Sequence, residues 1–179
     1  MTLALVRHGR TPWNRERRMQ GSADIALDGV GEEQAAAAGR LLAGAVWTRV
    51  VSSPLRRAVQ SAEIIAAHLP DARLDRIAEL AERHYGEAEG LPVAEVRERW
   101  PDEDYPGAEP VEATRDRGVG VLRRLLLEGE NTVAVAHGTL LRVAIDGLTG
   151  ASCPRILNGE VILLDADGAG GFQTRRLGG

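Results

Sequence analysis

Several residue types are scarce in this 179-residue sequence, and each scarcity excludes something. The single cysteine, Cys153, excludes an internal disulfide and a cysteine-based zinc site. Aromatic residues make up only 3% of the chain, so its core must consist of alanine, leucine, valine and isoleucine. No apolar run approaches the ~20 residues that a membrane-spanning helix needs. Because the candidate chemistry begins at residue 7, we also expect no signal peptide. These features predict a cytoplasmic protein with no membrane partner.

Positive charge is also limited. The chain has 22 basic and 26 acidic residues and a net charge of −4, so it lacks the broad basic surface that nucleic-acid binding requires. A short basic run, RERR at 15–18, is interpreted as a solvated loop. The hydrophobic content of 44% suffices for a core, and we predict one domain over residues 1–179. The oligomeric state stays open, with a homodimer among the alternatives.

Valine-rich apolar runs alternate with longer helical patterns along the chain. Strands are predicted at 2–6, 48–53 and 131–136, then in GEVILLDAD (159–167) and FQTRRL (172–177), with a glycine-rich turn at 168–171. Helices are predicted over 31–44, 54–69, 92–100, 110–129 and 139–148. Ser53 is the predicted N-cap of the second helix, ahead of Pro54. This alternation predicts a three-layer α/β/α sandwich with a mostly parallel central sheet.

Cationic and imidazole side chains follow three of these strands: Arg7 and His8, Arg56 and Arg57, and His137. Ligands of parallel sheets bind beyond the carboxyl ends of the strands, so these side chains are expected to converge. An arginine fork matches phosphate oxygens, and a helix N-terminus adds N–H donors. The residues therefore predict a compact anion site. They do not by themselves distinguish Arg56 from Arg57.

Five motifs in a fixed order now carry a resemblance to a known family. They are RHGRTPWN (7–14), QGSADIALDGVGEEQA (20–35), SSPLRRAVQSAEI (52–64), ERHYGEAEG (82–90) and VAHGTLLR (135–142). Two shorter stretches, PGAE (106–109) and NGEVI (158–162), fit the same order. The sequence resembles the histidine phosphatase superfamily, the phosphoglycerate mutase-like proteins, and the resemblance implies their fold.

The resemblance implies a role for each matching residue. It makes His8 the nucleophile that takes the phosphoryl group of a small phosphorylated metabolite and Glu82 the proton donor to the leaving oxygen. The residues that would hold the phosphate oxygens are Arg7, Arg57 and His137. Further substrate contacts are expected from Asn14, Gln20 and Arg83. The choice of Arg57 over Arg56 rests on the family pattern, and no metal or cofactor is implied.

Some positions depart from the family pattern. Arg10 stands where glutamate or glutamine is common, and we expect it to add a cation at the pocket mouth. Together with Arg15 and Arg83 it suggests a substrate with an extra negative group. Ala88 stands where many relatives have tryptophan, and is expected to reshape the entrance.

The branch of the family is the remaining choice. The ERHYG motif is similar to the mutase branch, yet the segment 91–110 is brief and acidic and the tail after 172 is too short for a lid. A mutase must protect its phosphohistidine from water, so we expect a phosphomonoester hydrolase. The alternatives are a phosphoglycerate mutase and a non-catalytic phospholigand-binding protein.

Overall fold

The computed structural model describes residues 2–168 and 170–178. Its strands are β1 (Leu3–Arg7), β2 (Arg49–Ser52), β3 (Arg73–Arg76), β4 (Thr132–Ala136), β5 (Val161–Ala166) and β6 (Phe172–Leu177). Its α-helices are α1 (Pro12–Arg15), α2 (Gly29–Leu42), α3 (Arg56–Ala66), α4 (Val93–Arg99), α5 (Val111–Leu127) and α6 (Gly138–Thr149). Within the described ranges, no helix combines the length and apolarity needed to cross a membrane.

All six strands form one mixed sheet in the order β3-β2-β4-β1-β5-β6. The first four of these strands run parallel, and β5 and β6 extend the sheet as antiparallel strands on one side. Arg7 pairs with Ala136, and Ser52 pairs with Val135. The carboxyl ends of β1, β2 and β4 are therefore level, which brings the residues that follow them to one edge of the sheet.

Alternate residues of the central strands fill two separate cores. On β1, Leu3 and Leu5 face a core closed by α5 and α6, whereas Ala4 and Val6 face a core closed by α2 and α3. This follows from the two-residue period of a strand, because successive side chains point to opposite faces. The predicted three-layer sandwich is thereby confirmed.

Helix α3, which corresponds to the second predicted helix, begins at a different residue from the one predicted. Leu55, and not Ser53, is the N-cap of α3, and no side chain caps this helix. The Ser53 hydroxyl instead contacts His137 and accepts a hydrogen bond from the Leu55 N–H. The N-cap prediction was wrong because the serine belongs to the turn between β2 and α3, where it contacts another part of the chain.

Two short elements had no sequence prediction. Strand β3 lies at the edge of the sheet and is mostly exposed, so it lacks the apolar signal by which strands are recognised. Helix α1 is held by a capping box between Thr11 and Asn14. The predicted turn at 168–171 includes Ala169, which lies outside the described residues.

Gly118 permits a close approach between α5 and α6. A Cβ atom at this position would lie 2.8 Å from the Cβ of Ala144 on α6, closer than such atoms come in proteins. Gly120, two residues further along the same helix, has open space around it. The glycine at 118 therefore has a packing reason, although glycine lowers the intrinsic stability of a helix.

Candidate active site

The level strand ends bring His8, Arg57 and His137 into contact, although they are far apart in the chain. His8 directly follows β1, and its N–H donates to the carbonyl of Ala136 on β4 (3.0 Å). The Nε of Arg57, in the first turn of α3, donates to His8 Nε2 (3.3 Å). The ring centroids of His8 and His137 are 5.1 Å apart. The structure thus brings together the residues from which the strand ends predicted an anion site.

The two nitrogens of His8 have different environments. Nδ1 lies 2.7 Å from the carbonyl oxygen of Gly9. Because a carbonyl only accepts, Nδ1 carries the proton and Nε2 keeps its lone pair. Gly9 itself is held by the Ser61 hydroxyl, which accepts from the Gly9 N–H (3.0 Å) and donates to the Arg57 carbonyl (2.7 Å). The ring is therefore fixed with Nε2 as its nucleophilic atom.

Burial keeps both histidines neutral. Desolvation lowers the pKa of His8 well below its usual range, and the nearby Arg57 and Arg7 guanidiniums lower it further. The pKa of His137 is lowered well below its usual range in the same way, first by burial and then by Arg57. A neutral His8 can act as a nucleophile at neutral pH, because its Nε2 lone pair is not occupied by a proton.

Two buried donors beside His8 lack a hydrogen-bond partner within the described residues: Arg7 Nε and His137 Nδ1. Buried polar groups are rarely left unsatisfied, because each one costs the desolvation energy of that group. Ser53 explains why Nδ1 of His137 is a donor. The Ser53 hydroxyl is buried and accepts from Leu55, and within the described residues His137 Nε2 at 2.7 Å is the acceptor offered to its own proton. With that proton directed to Nε2, the ring proton of His137 lies on Nδ1.

Arg57 is almost completely buried, with 1% of its surface exposed. Besides its bond to His8, its Nη1 donates to the Ala23 carbonyl (2.7 Å) and its Nη2 to the Gly21 carbonyl (2.8 Å). An arginine has five N–H donors, so two remain after these contacts. Arg56, by contrast, is exposed. The structure thus places Arg57, and not Arg56, at the centre of the site.

Glu82 lies at the N-terminus of α6, which starts directly after His137. Its Oε1 accepts from the N–H groups of Arg83 (3.0 Å) and Leu140 (2.9 Å), and its Oε2 accepts from Thr139 (3.1 Å). Each carboxylate oxygen has about two lone-pair sites, so Oε2 keeps one site open. Oε2 is therefore the oxygen of Glu82 that has room for a further hydrogen-bond partner.

A cavity of about 520 Å³ opens in front of His8. Its wall includes Arg7, Asn14, Gln20, Arg57 and Glu82 as well as Tyr85. Among the described residues, Glu82 is the only acidic one on this wall, whereas the arginines are Arg7, Arg17, Arg18, Arg57, Arg97, Arg142 and Arg155. The cavity is strongly positive although the whole chain has a net charge of −4.

Asn14 and Gln20 are fixed on the cavity wall by Thr11. The Oδ1 of Asn14 accepts from the Thr11 N–H (3.1 Å) and from Asn158 Nδ2 (3.2 Å). The Oε1 of Gln20 accepts from the Thr11 hydroxyl (2.9 Å). Since both amide oxygens are engaged, each side chain has its NH2 group available to a ligand.

Arg83 does not line the cavity, unlike the expectation from the resemblance. Its guanidinium packs over the rings of Tyr85 and Tyr105 at 5.5 and 5.3 Å from their centroids. Its Nε donates to the Glu109 carbonyl (2.8 Å). Arg83 therefore stabilises the segment that carries Glu82 by packing and hydrogen bonding.

The other residues singled out as departures also lie elsewhere. Arg10 pairs with Asp28 at 2.8 Å and does not line the cavity, so it adds no cation at the mouth. Arg15 is exposed beside Glu16 and does not line the cavity either. Ala88 is completely buried in a small apolar cluster and does not itself line the cavity.

Three positioning residues escaped the sequence analysis: Ser53, Asn158 and Arg117. Asn158 donates to the His8 carbonyl (3.0 Å) as well as to Asn14, and its place in the NGEVI motif was the available signal. Arg117 donates to the carbonyls of Glu79 and Ala81, directly before Glu82. Nothing in the spacing of Arg117 indicates this contact.

Metal-ligating side chains are not clustered in this structure. Across residues 2–168 and 170–178, no three histidine, cysteine, aspartate or glutamate side chains are grouped so as to hold a metal ion.

Comparison with known proteins identifies the family to which this chain is similar. The model of the histidine phosphatase superfamily (branch 1) matches residues 3–173. The uncharacterized phosphatase PhoE of Bacillus subtilis (strain 168) is 38% identical over 152 residues, which cover 83% of this chain and 77% of PhoE. A 2,3-bisphosphoglycerate-dependent phosphoglycerate mutase of Beijerinckia indica subsp. indica is 32% identical, over 85% of this chain and 84% of the mutase.

The solved structures give the same fold. YhfR of Bacillus stearothermophilus superimposes with a TM-score of 0.87 at 26% identity, over 98% of this chain and 95% of YhfR. The relatives thus include both phosphatases and mutases, and the match extends over nearly the whole chain. This chain belongs to the histidine phosphatase superfamily.

Proposed function

We propose that this protein hydrolyses phosphomonoesters of small metabolites through a phosphohistidine at His8. The observation that carries the proposal is a pair of buried donors, Arg7 Nε and His137 Nδ1, that have no hydrogen-bond partner within the described part of the chain. They lie beside a neutral histidine whose Nε2 carries no proton. Such a group matches a phosphoryl unit, which presents three equatorial oxygens to donors and its phosphorus to a nucleophile.

In the first step, His8 Nε2 attacks phosphorus and the bond from phosphorus to the ester oxygen breaks. Arg7, Arg57, His137 and Asn14 donate to the phosphoryl oxygens and neutralise their charge. The Arg57 Nε now bonded to His8 Nε2 would turn to the phosphoryl group as the new N–P bond forms. Both arginines remain charged throughout, since guanidinium does not lose its proton at neutral pH.

The leaving oxygen takes a proton from Glu82. In the second step, a water molecule attacks the phosphohistidine, gives a proton to Glu82 and releases inorganic phosphate and neutral His8. Atoms and protons balance over the cycle, and no metal ion takes part. Hydrogen bonds from the backbone N–H groups of Arg83, Thr139 and Leu140 hold the Glu82 carboxyl group in one orientation for both proton transfers.

Hydrolysis is favoured over phosphoryl transfer because the cavity in front of His8 has an exposed outer wall through which water can enter once the site is in use. The arginines at the outer part of the cavity are exposed, and the segment 91–110 contributes only Val93 and Arg97 to its wall. A mutase would need this segment to cover its phosphohistidine. The PhoE relative, a phosphatase by name, supports the same choice at 38% identity.

The test is to incubate the protein with 3-phosphoglycerate and a trace of 2,3-bisphosphoglycerate, with and without EDTA. A hydrolase releases inorganic phosphate at equal rates in both samples. Accumulation of 2-phosphoglycerate without phosphate release would instead establish a mutase. If p-nitrophenyl phosphate and a wide panel of metabolites also yield neither product, the chain binds its phospholigand without turnover.

A further inference from the structure

Four arginines on the outer wall of the cavity have no part in the chemistry at His8. Arg17, Arg97, Arg142 and Arg155 are exposed, and none of them forms an ion pair or side-chain hydrogen bond within the described residues. Arg18, on the same wall, differs because it pairs with Glu16 at 3.0 Å. The outer cavity therefore concentrates uncompensated positive charge in a chain whose net charge is negative.

The backbone holds two of these arginines in place. Arg17 has a positive φ of 55°, which is uncommon for a residue other than glycine and costs about 1 kcal/mol or more. Its carbonyl accepts from the Val93 N–H (2.8 Å) and its N–H donates to the Asn14 carbonyl (3.2 Å), so the strained conformation is fixed from both sides. Strain of this kind concentrates at functional sites.

The loop that carries Arg155 is fixed in a similar way. Arg7 Nη1 donates to the carbonyl of the next residue, Ile156 (2.7 Å). Arg176 donates to the carbonyl of Arg155 itself (3.2 Å), and pairs with Glu160. The phosphate-binding Arg7 is thus the same residue that anchors the loop bearing Arg155, which couples the inner and outer parts of the cavity.

We propose that Arg17, Arg97, Arg142 and Arg155 form a second anion site, and that the alcohol part of the substrate carries its own carboxylate or second phosphate group. This inference rests on the proposed function for the phosphoryl end of the substrate. Planar guanidiniums suit both anions, which they bind with paired N–H bonds. Of the tyrosine, tryptophan and phenylalanine residues that the structure describes, only Tyr85 is on the wall, so substrate selection relies on charge more than on ring stacking.

The experiment measures binding in a His8→Asn background, which lacks the nucleophile, by calorimetry at low salt. The carboxylate arm compares 3-phosphoglycerate with glycerol 3-phosphate, and the phosphate arm compares fructose 1,6-bisphosphate with fructose 6-phosphate. We expect the ligand with the extra anionic group to bind about tenfold more tightly than its partner in at least one arm, which is the gain from one charge-assisted hydrogen bond. A larger gain is not expected, because the four arginines are exposed and solvent weakens their interactions. The ratio should fall as salt screens the exposed charges.

Variants test whether the arginines cause the preference. The double substitution Arg97→Gln with Arg155→Gln removes two of the four guanidiniums and should lower the ratio. Arg99→Gln is the matched control, because Arg99 lies on helix α4 with Arg97 but pairs with Glu95 and does not line the cavity. It should leave the ratio unchanged.

Two results would overturn this inference: ratios near one in both arms, or a ratio that is unchanged in the Arg97→Gln, Arg155→Gln double variant. Neither depends on turnover, because binding is measured without the nucleophile. The wild-type protein is assayed in parallel with p-nitrophenyl phosphate. Absence of hydrolysis there with an intact binding preference would refute the proposed function and leave the second anion site standing.

Discussion

Ser53→Ala is a sharp test of how the site holds its phosphate. The Ser53 hydroxyl lies 2.7 Å from His137 Nε2 and, in our account, donates its proton there, which keeps the ring proton on Nδ1. Alanine removes this donor from a position that is completely buried. The imidazole can then carry its proton on Nε2, and Nδ1 would present a lone pair to a negatively charged phosphoryl oxygen.

The size of the effect follows from the lost hydrogen bond. A bond from a buried N–H to a charged oxygen contributes about 1.5–3 kcal/mol, which corresponds to a roughly 10- to 150-fold change. We expect Ser53→Ala to lower both kcat/KM for p-nitrophenyl phosphate and the affinity for orthovanadate within this range. Stability should also fall, because His137 Nε2 loses its partner, by about 1–3 kcal/mol.

The control is Ser52→Ala. Ser52 is one residue earlier on β2 and equally buried, but its hydroxyl makes no hydrogen bond with either histidine. Nitrogen-15 NMR of histidine-labelled protein reads the tautomer directly. The reasoning is refuted if Ser53→Ala retains the activity of the Ser52→Ala control, or if Nδ1 of His137 carries no proton in the wild-type protein.

Three further predictions concern packing, pH and proton transfer. Gly120→Ala should stabilise the protein by about 0.5–1 kcal/mol, whereas Gly118→Ala should destabilise it because its Cβ would meet α6 at 2.8 Å; denaturant unfolding would contradict this if both changes had the same sign. The pKa values of His8 and His137 are lowered in the folded protein, so below about pH 6.5 the unfolded chain binds more protons than the folded one. The free energy of unfolding should therefore fall as the pH is lowered, by up to about 1.4 kcal/mol per pH unit for each histidine. A His137→Gln variant with an unchanged slope between pH 6.5 and 5 would disprove that assignment. Glu82→Gln should lower kcat/KM, which reports transfer of the phosphoryl group to His8, by about 10²–10⁴-fold for alkyl phosphates and much less for p-nitrophenyl phosphate, since p-nitrophenolate leaves without a proton; equal losses in kcat/KM for both substrates would exclude the proton-donor role.

Features with a local signal were predictable from the sequence. The central strands were predictable because they are apolar, valine-rich runs. Ligands bind at the carboxyl ends of parallel strands, and this rule indicated His8 and His137 as site residues. The ordered motifs singled out Arg57 over Arg56, and the structure buries the former against His8. Strand β3 gave no signal, because its residues are mostly exposed at the sheet edge.

Side-chain partners across long separations were not predictable. Arg10 and Arg83 looked like pocket cations from their places in the motifs, but Asp28 pairs with the first and two tyrosine rings pack against the second. The outer arginines come from separate parts of the fold, including Arg142 on α6 and Arg155 in the loop before β5. Their neighbourhood depends on the tertiary arrangement and leaves no pattern in the sequence.

The most direct test of the central claim identifies the atom that carries phosphate during turnover. The protein is mixed with a good substrate, quenched in base to preserve an acid-labile phosphohistidine, and analysed by peptide mapping and phosphorus-31 NMR. Because Nδ1 of His8 is bonded to the Gly9 carbonyl, the account predicts a phosphoryl group on Nε2 of His8. Phosphate on Nδ1, on another residue, or on no residue during steady hydrolysis would contradict it.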